Sequence, residues 1–126
     1  MQIERLDHLV LTVASIDRTI HFYQEILGMG VITFGQGRRA LTFGNQKINL
    51  HEKGKEFEPK AKKPEPGSAD LCFISKTPIP NVLRELQAAN VVVEEGPIER
   101  TGAVGKILSV YIRDPDSNLI EISNYI

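Results

Sequence analysis

The strongest constraint on this chain is one order of hydrophobic periods, strand-helix-strand-strand-strand, read twice along its length. Leu6 to Val13 alternates as a strand does, with Leu9, Leu11 and Val13 on one face and His8, Val10 and Thr12 on the other. Ser15 suits a helix N-cap and Asp17 the first turn. Ile16, Ile20, Tyr23 and Leu27 then recur at helical spacing as far as Gly28. Strands are expected over 31–34, 39–43 and 47–51, parted by turns that carry glycine. The second pass sets strands at 70–74, 91–93, 108–113 and 119–123 and a helix at 78–89 closed by Asn90. The expected architecture is α+β: one domain of two βαβββ modules, about 4–52 and 69–125, joined by a solvated linker at 53–68. That linker holds five lysines, three glutamates and three prolines around a single large apolar residue, Phe57.

Facing then narrows the chemistry. The aliphatic side of each first and last strand must cover a helix, which turns His8, His51, Asp70 and Glu121 to the opposite side. Superposing the modules sets His8 over Asp70 and His51 over Glu121. Singly each residue has an ordinary reading: an exposed histidine, a turn-bonding aspartate, a solvated edge glutamate. Together, two imidazoles and two carboxylates at matched positions suit one divalent ion, Mn, Fe, Co, Ni or Zn rather than Ca.

Ser109, Tyr111 and Arg113 alternate with aliphatics and are expected on the same side as Glu121. Arg39, Leu41 and Phe43 are expected to line the opposite wall, with Arg39 and Phe43 touching substrate. The loop Arg100 to Gly105 is placed to close over a ligand, and Cys72 falls on the alternation of Asp70. Asp114-Pro-Asp-Ser-Asn118 reads as a tight turn that sets the register of Glu121. His21 and Glu52 read as surface residues.

Composition excludes several classes of function. Fifteen Lys and Arg against sixteen Asp and Glu leave a net charge of −1, which offers no field for nucleic acid or an anionic membrane. No apolar run approaches a membrane span, and the first residues lack the pattern of a signal peptide. One cysteine fits a reducing compartment, so the expected location is the cytoplasm.

The segments LDHLVLTV, HFYQEILGM, INLHE and DPDSNLIEIS together resemble the vicinal oxygen chelate superfamily: glyoxalase I, extradiol dioxygenases, fosfomycin-modifying enzymes and metal-free bleomycin-binding proteins. NLHEKGKEFEPKA, EEGPIERTGAVGKI and SVYIRDPDSNLIEISNY are similar to its glyoxalase-domain-containing protein 5 group. The resemblance implies a curved mixed sheet around a central metal, helices on the convex side, and a homodimer whose sites are shared between chains. It also implies His8 and His51 as ligands from one chain, Asp70 and Glu121 from the other, and Tyr111 beside the metal. Asp70 stands where many members have histidine, and His51 where glyoxalase I has glutamate. No histidine lies near Gly102, where extradiol dioxygenases have one.

The expected function is therefore a metal-dependent enzyme of lyase or isomerase type acting on a small oxygenated substrate. Glu121 is the expected base and Tyr111 the oxyanion donor. Arg39, Arg100 and Arg113, with Phe43 and Ser109, would tolerate an anionic ligand. A non-haem iron dioxygenase using His8, His51 and Glu121 and a metal-free sequestering protein are the alternatives.

Overall fold

A computed structural model describes all 126 residues, and they divide into two compact units, Met1–Pro66 and Gly67–Ile126. The first contains β1 (His8–Val13), α1 (Ile16–Glu25), β2 (Gly30–Phe34), β3 (Arg38–Phe43) and β4 (Gln46–Glu52). The second contains β5 (Asp70–Ile74), α2 (Ile79–Ala88), β6 (Glu95–Thr101), β7 (Lys106–Arg113) and β8 (Leu119–Tyr125). Each is a mixed four-stranded sheet of one topology, ordered β1-β4-β3-β2 and β5-β8-β7-β6, so the α+β fold of two βαβββ modules is what forms. No helix is long and apolar enough to cross a membrane.

The first and last strand of each unit pair in parallel, because a helix carries the chain back between them. In the first unit Leu11, Val13, Leu41, Ile48 and Leu50 share the buried face with Tyr23 of α1, all at most 5% exposed. Fully burying one such side chain is worth roughly 1.5–3 kcal/mol. Ser15 caps α1 by accepting from the Arg18 amide. A second orphan amide of that helix, on Ile16, is taken by Glu52 at 3.2 Å, so Glu52 is a helix cap from β4 and not an idle surface residue. α2 has no side-chain cap of its own, and Asn124 of β8 accepts from its Ile79 amide at 2.8 Å.

Two sequence expectations fail in the same place. Residues 91–93 form no strand, and Val92 is 80% exposed; the strand is β6, inside what reads as a loop at 94–106. The register of β6 on β7 shifts between Glu95 and Ile98, where Gly96 and Pro97 lie. Pro97 has no amide to give a ladder, and Gly96 (φ +106) leaves room that a Cβ would take from the Ser109 carbonyl. A bulge built of a glycine and a proline conceals a strand from propensity. The segment 53–66 also departs from a solvated tether. Its Lys53 amide bonds the Val13 carbonyl, Lys53 pairs with Glu65 at 2.8 Å, and Phe57 packs on His51 of the first unit.

Candidate functional site

In the second unit Cys72 pairs with Glu121, and Glu121 with Tyr111, so the three side chains stand on one face, opposite the buried face of Ile120 and Ile122. Asp70 lies on that face two rungs from Glu121. The register is fixed by the turn after β7. Asp114 accepts from the Asp116 and Asn118 amides, both at 2.9 Å, and from the Asn118 side chain at 2.8 Å. Asn118 in turn accepts from the Ala69 amide at 2.8 Å, which ties the start of β5 to β8. The expectation that this turn aims Glu121 is thus given its atoms.

A cavity of about 390 Å³ opens on this face, with Cys72, Arg100, Tyr111, Glu121, Ile107 and Tyr125 in its lining. Arg100 Nε donates to the Tyr111 hydroxyl at 3.1 Å and its guanidinium reaches Glu95. Burial raises the Tyr111 phenol above its usual range, and the Arg100 bond partly opposes that rise. Tyr111 therefore keeps its proton and can donate it. Glu121 Oε1 is buried and has no hydrogen-bond partner. Burial also raises the Cys72 thiol, whose sulfur meets Ser123 Oγ at 3.4 Å. Ser109 is fully buried and spends its hydroxyl on Ser123 at 2.7 Å, so it supports the face without reaching a ligand. Arg113 turns away to Glu94 (3.0 Å) and the Ser117 carbonyl (3.2 Å), and is absent from the cavity lining.

The first unit revises the expected wall. Arg39 pairs with Leu50 and Leu41 with Ile48, so Arg39, Leu41 and Phe43 face the apolar side beneath the helix. Residues 38, 40 and 42 take the other side: Ala40 pairs with Asn49 and Thr42 with Lys47. The apolar residues Leu41 and Phe43, which share the face of Arg39 on its own strand, were the signal for this. Phe43 and Arg39 are corrected as substrate contacts, and Arg38 stands where Arg39 was expected.

The superposition also shifts. Asn49 lies opposite Val10 as Glu121 lies opposite Cys72, an offset of 72 residues. The helix caps Glu52 and Asn124 repeat the same offset of 72. Asn49, not His51, is the counterpart of Glu121, and His51 corresponds to Ser123. His8 and His51 share a face but stand four rungs apart, about 13 Å at the usual strand rise, far beyond two nitrogens bound to one ion. His8 is exposed, with Nδ1 bonded to Asp7 at 2.8 Å. His51 is 3% exposed, lies 5.7 Å from the Phe57 ring, and is pushed below the usual imidazole range by burial and then by Arg38. Its Nε2 has no partner, and neither does Asn49 Oδ1. No three His, Cys, Asp or Glu side chains gather in the way a self-sufficient metal cluster requires.

Comparison with known proteins places this geometry in a family. Residues 5–122 match the model of the Glyoxalase/Bleomycin resistance protein/Dioxygenase superfamily. Virulence protein STM3117 of Salmonella typhimurium is 62% identical over the whole chain and 88% of its own length. Its crystal structure superposes with a TM-score of 0.98, covering 100% of both chains. The glyoxalase domain-containing protein RDO1 of Mycosarcoma maydis is 59% identical, covering 99% of this chain and 70% of its own. Among more distant folds are a lactoylglutathione lyase from Agrobacterium tumefaciens and the fosfomycin resistance protein FosX from Listeria monocytogenes, the latter complexed with Mn(II). The lyase is 22% identical with a TM-score of 0.74, covering 98% of this chain and 96% of its own. FosX is 20% identical with a TM-score of 0.67, covering 99% and 93%. These two likenesses speak to fold alone.

Proposed function

Because the chain belongs to the glyoxalase/bleomycin resistance protein/dioxygenase superfamily, we propose that it is a metal-dependent enzyme of lyase or isomerase type acting on a small oxygenated molecule. One observation carries the reading: two buried oxygens, Asn49 Oδ1 and Glu121 Oε1, lack partners at equivalent positions of the two sheets. A buried acceptor without a donor is costly, of order 1–3 kcal/mol, and a cation removes that cost at both places.

The donor set is His8, Asp70 and Glu121, with Asn49 in the place first given to His51. His8 fits because its bond to Asp7 fixes the ring and leaves Nε2 open, the arrangement that orients metal-bound imidazoles. A mixed nitrogen and oxygen set suits Mn, Fe, Co, Ni or Zn. When bound, such an ion supplies Lewis-acid stabilisation to a substrate oxygen that gains negative charge. Glu121 would take a proton from the carbon next to that oxygen and return it to the neighbouring carbon, which leaves an isomerisation balanced in protons. Tyr111, its oxygen held by Arg100, donates to the developing oxyanion. The reading includes a homodimer with donors shared between chains, as the resemblance to the superfamily implies.

The test is metal-by-metal activity screening of the purified protein against hemithioacetals, catechols and small epoxides, with elemental analysis of wild type and Glu121→Ala. Stoichiometric metal lost in the variant, with hemithioacetal or epoxide turnover, supports the proposal. Oxygen uptake with catechols would replace it by an iron dioxygenase. Tight binding of a small molecule by stripped protein, with no turnover, would replace it by a sequestering protein.

A further inference from the structure

The open face of the first unit carries a cation held ready for a partner that the chain does not supply. Arg38 pairs across the sheet with Phe34, and its guanidinium carbon lies 5.3 Å from that ring and 4.8 Å from the ring of Phe57. It makes no ion pair, although seven such pairs occur in the chain. A guanidinium resting on aromatic faces keeps its in-plane N–H edge free, and the rings remove much of the motion that binding would otherwise have to arrest. Lys47 adds a second cation 3.9 Å from the centre of the Phe34 ring, again without a carboxylate. The neighbouring acids are otherwise engaged: Glu56 accepts from the Gly54 amide and Glu58 pairs with Lys60.

The floor beside Arg38 is polar and unsatisfied. His51 shares this face, is 97% buried, packs edge-on against Phe57, and has an Nε2 with no partner. Val10 and Ile32, on the same face, are exposed and apolar. We propose that Arg38, Phe34, Phe57 and His51 form a binding subsite for an oxyanion, carboxylate or phosphonate, borne on a small apolar or aromatic body. The fork of Arg38 meets the two anionic oxygens, the rings take the body, and His51 Nε2 serves the ligand's remaining polar atom. This subsite uses none of the proposed metal donors, so it stands or falls apart from the catalytic reading.

The probes are benzoate, phenylphosphonate and the neutral isostere benzamide, titrated into metal-free protein by calorimetry and by two-dimensional NMR of the His51 ring. Saturable binding of benzoate or phenylphosphonate, with movement of the His51 signals and binding of benzamide roughly tenfold weaker, is expected. Whichever anion binds more tightly names the headgroup. Arg38→Met keeps the stacked bulk without the charge and should weaken anion binding roughly tenfold while leaving benzamide unchanged. Arg39→Met, on the opposite face of the same strand, should bind as wild type does, and circular dichroism of both variants separates lost binding from lost fold. Equal affinity for benzoate and benzamide, an Arg38→Met protein that binds benzoate undiminished, or His51 signals unmoved at saturation would each overturn the proposal.

Discussion

The two units share strand order, pairing sense and a helix capped from the last strand, yet the faces opposite their helices carry different chemistry. At equivalent rungs the second unit has Asp70, Cys72, Tyr111 and Glu121 where the first has His8, Val10, Ala40 and Asn49. The second gathers carboxylates, a thiol and a phenol. The first offers neutral or basic groups among aromatic rings, with Arg38 and Lys47 over Phe34. One scaffold can hold both because alternation sends every second side chain of a strand away from the core. The open face is then free to vary while Ile48 and Leu50, or Ile120 and Ile122, keep the buried face intact.

The comparison is broken most severely at the turns that join the last two strands. Asp114→Ala strands two amides and the Asn118 side chain in a buried turn and should cost about 3 kcal/mol by urea unfolding. The matching link of the first unit is only Gly44-Asn45, and Asn45→Ala, at an exposed position, should stay within about 0.5 kcal/mol.

The equivalent orphaned oxygens give the next effect. Glu121→Gln should lower affinity for the preferred divalent ion about a hundredfold, and Asn49→Leu about tenfold. Asn49→Leu should also leave stability unchanged or raised, since it removes a buried polar atom that the metal-free protein leaves unpaired. Calorimetric metal titration and melting curves of the stripped proteins check both halves.

A smaller contrast lies at His51 and its counterpart Ser123. Burial holds His51 below its ordinary value of 6.5, so the unfolded chain takes up a proton that the folded chain refuses. The stability this supplies is present above pH 6.5 and declines as pH falls toward the lower folded value. His51→Ser should flatten the urea midpoint between pH 7.5 and 5.5.

The helix caps give the smallest effect. The Ile16 amide and then Lys55 lower the Glu52 carboxyl below 4.5, so its contribution is present above that pH and fades as pH falls through the folded value. Asn124 caps α2 without a charge. Glu52→Gln should therefore weaken the acid limb of the melting curve slightly, whereas Asn124→Ser should shift the curve without changing its pH dependence.

Much of the fold was legible because it rests on local signals. Ser15 caps α1 as expected, and Gly28 (φ +69) and Asn90 (φ +58) follow the two helices in the left-handed conformation. β5 has the expected bounds 70–74, and Tyr111 faces with Glu121 as its alternation implies. β6 was hidden because its pairing runs through a bulge at Gly96 and Pro97, two residues that in sequence argue against a strand. The cap role of Glu52 was hidden because its partner, Ile16, is 36 residues away.

The sequence by itself determined the order of elements, the duplicated module and which side chains of one strand share a face, since those follow from periods of 3.6 and 2 and from local turn chemistry. Only the tertiary structure decided which rung meets which. It made Asn49 rather than His51, two residues further along β4, the counterpart of Glu121. The reason is physical: a strand's pattern survives any two-residue slip against its neighbour, so register is settled by the turns, helix caps and packing that join segments distant in sequence.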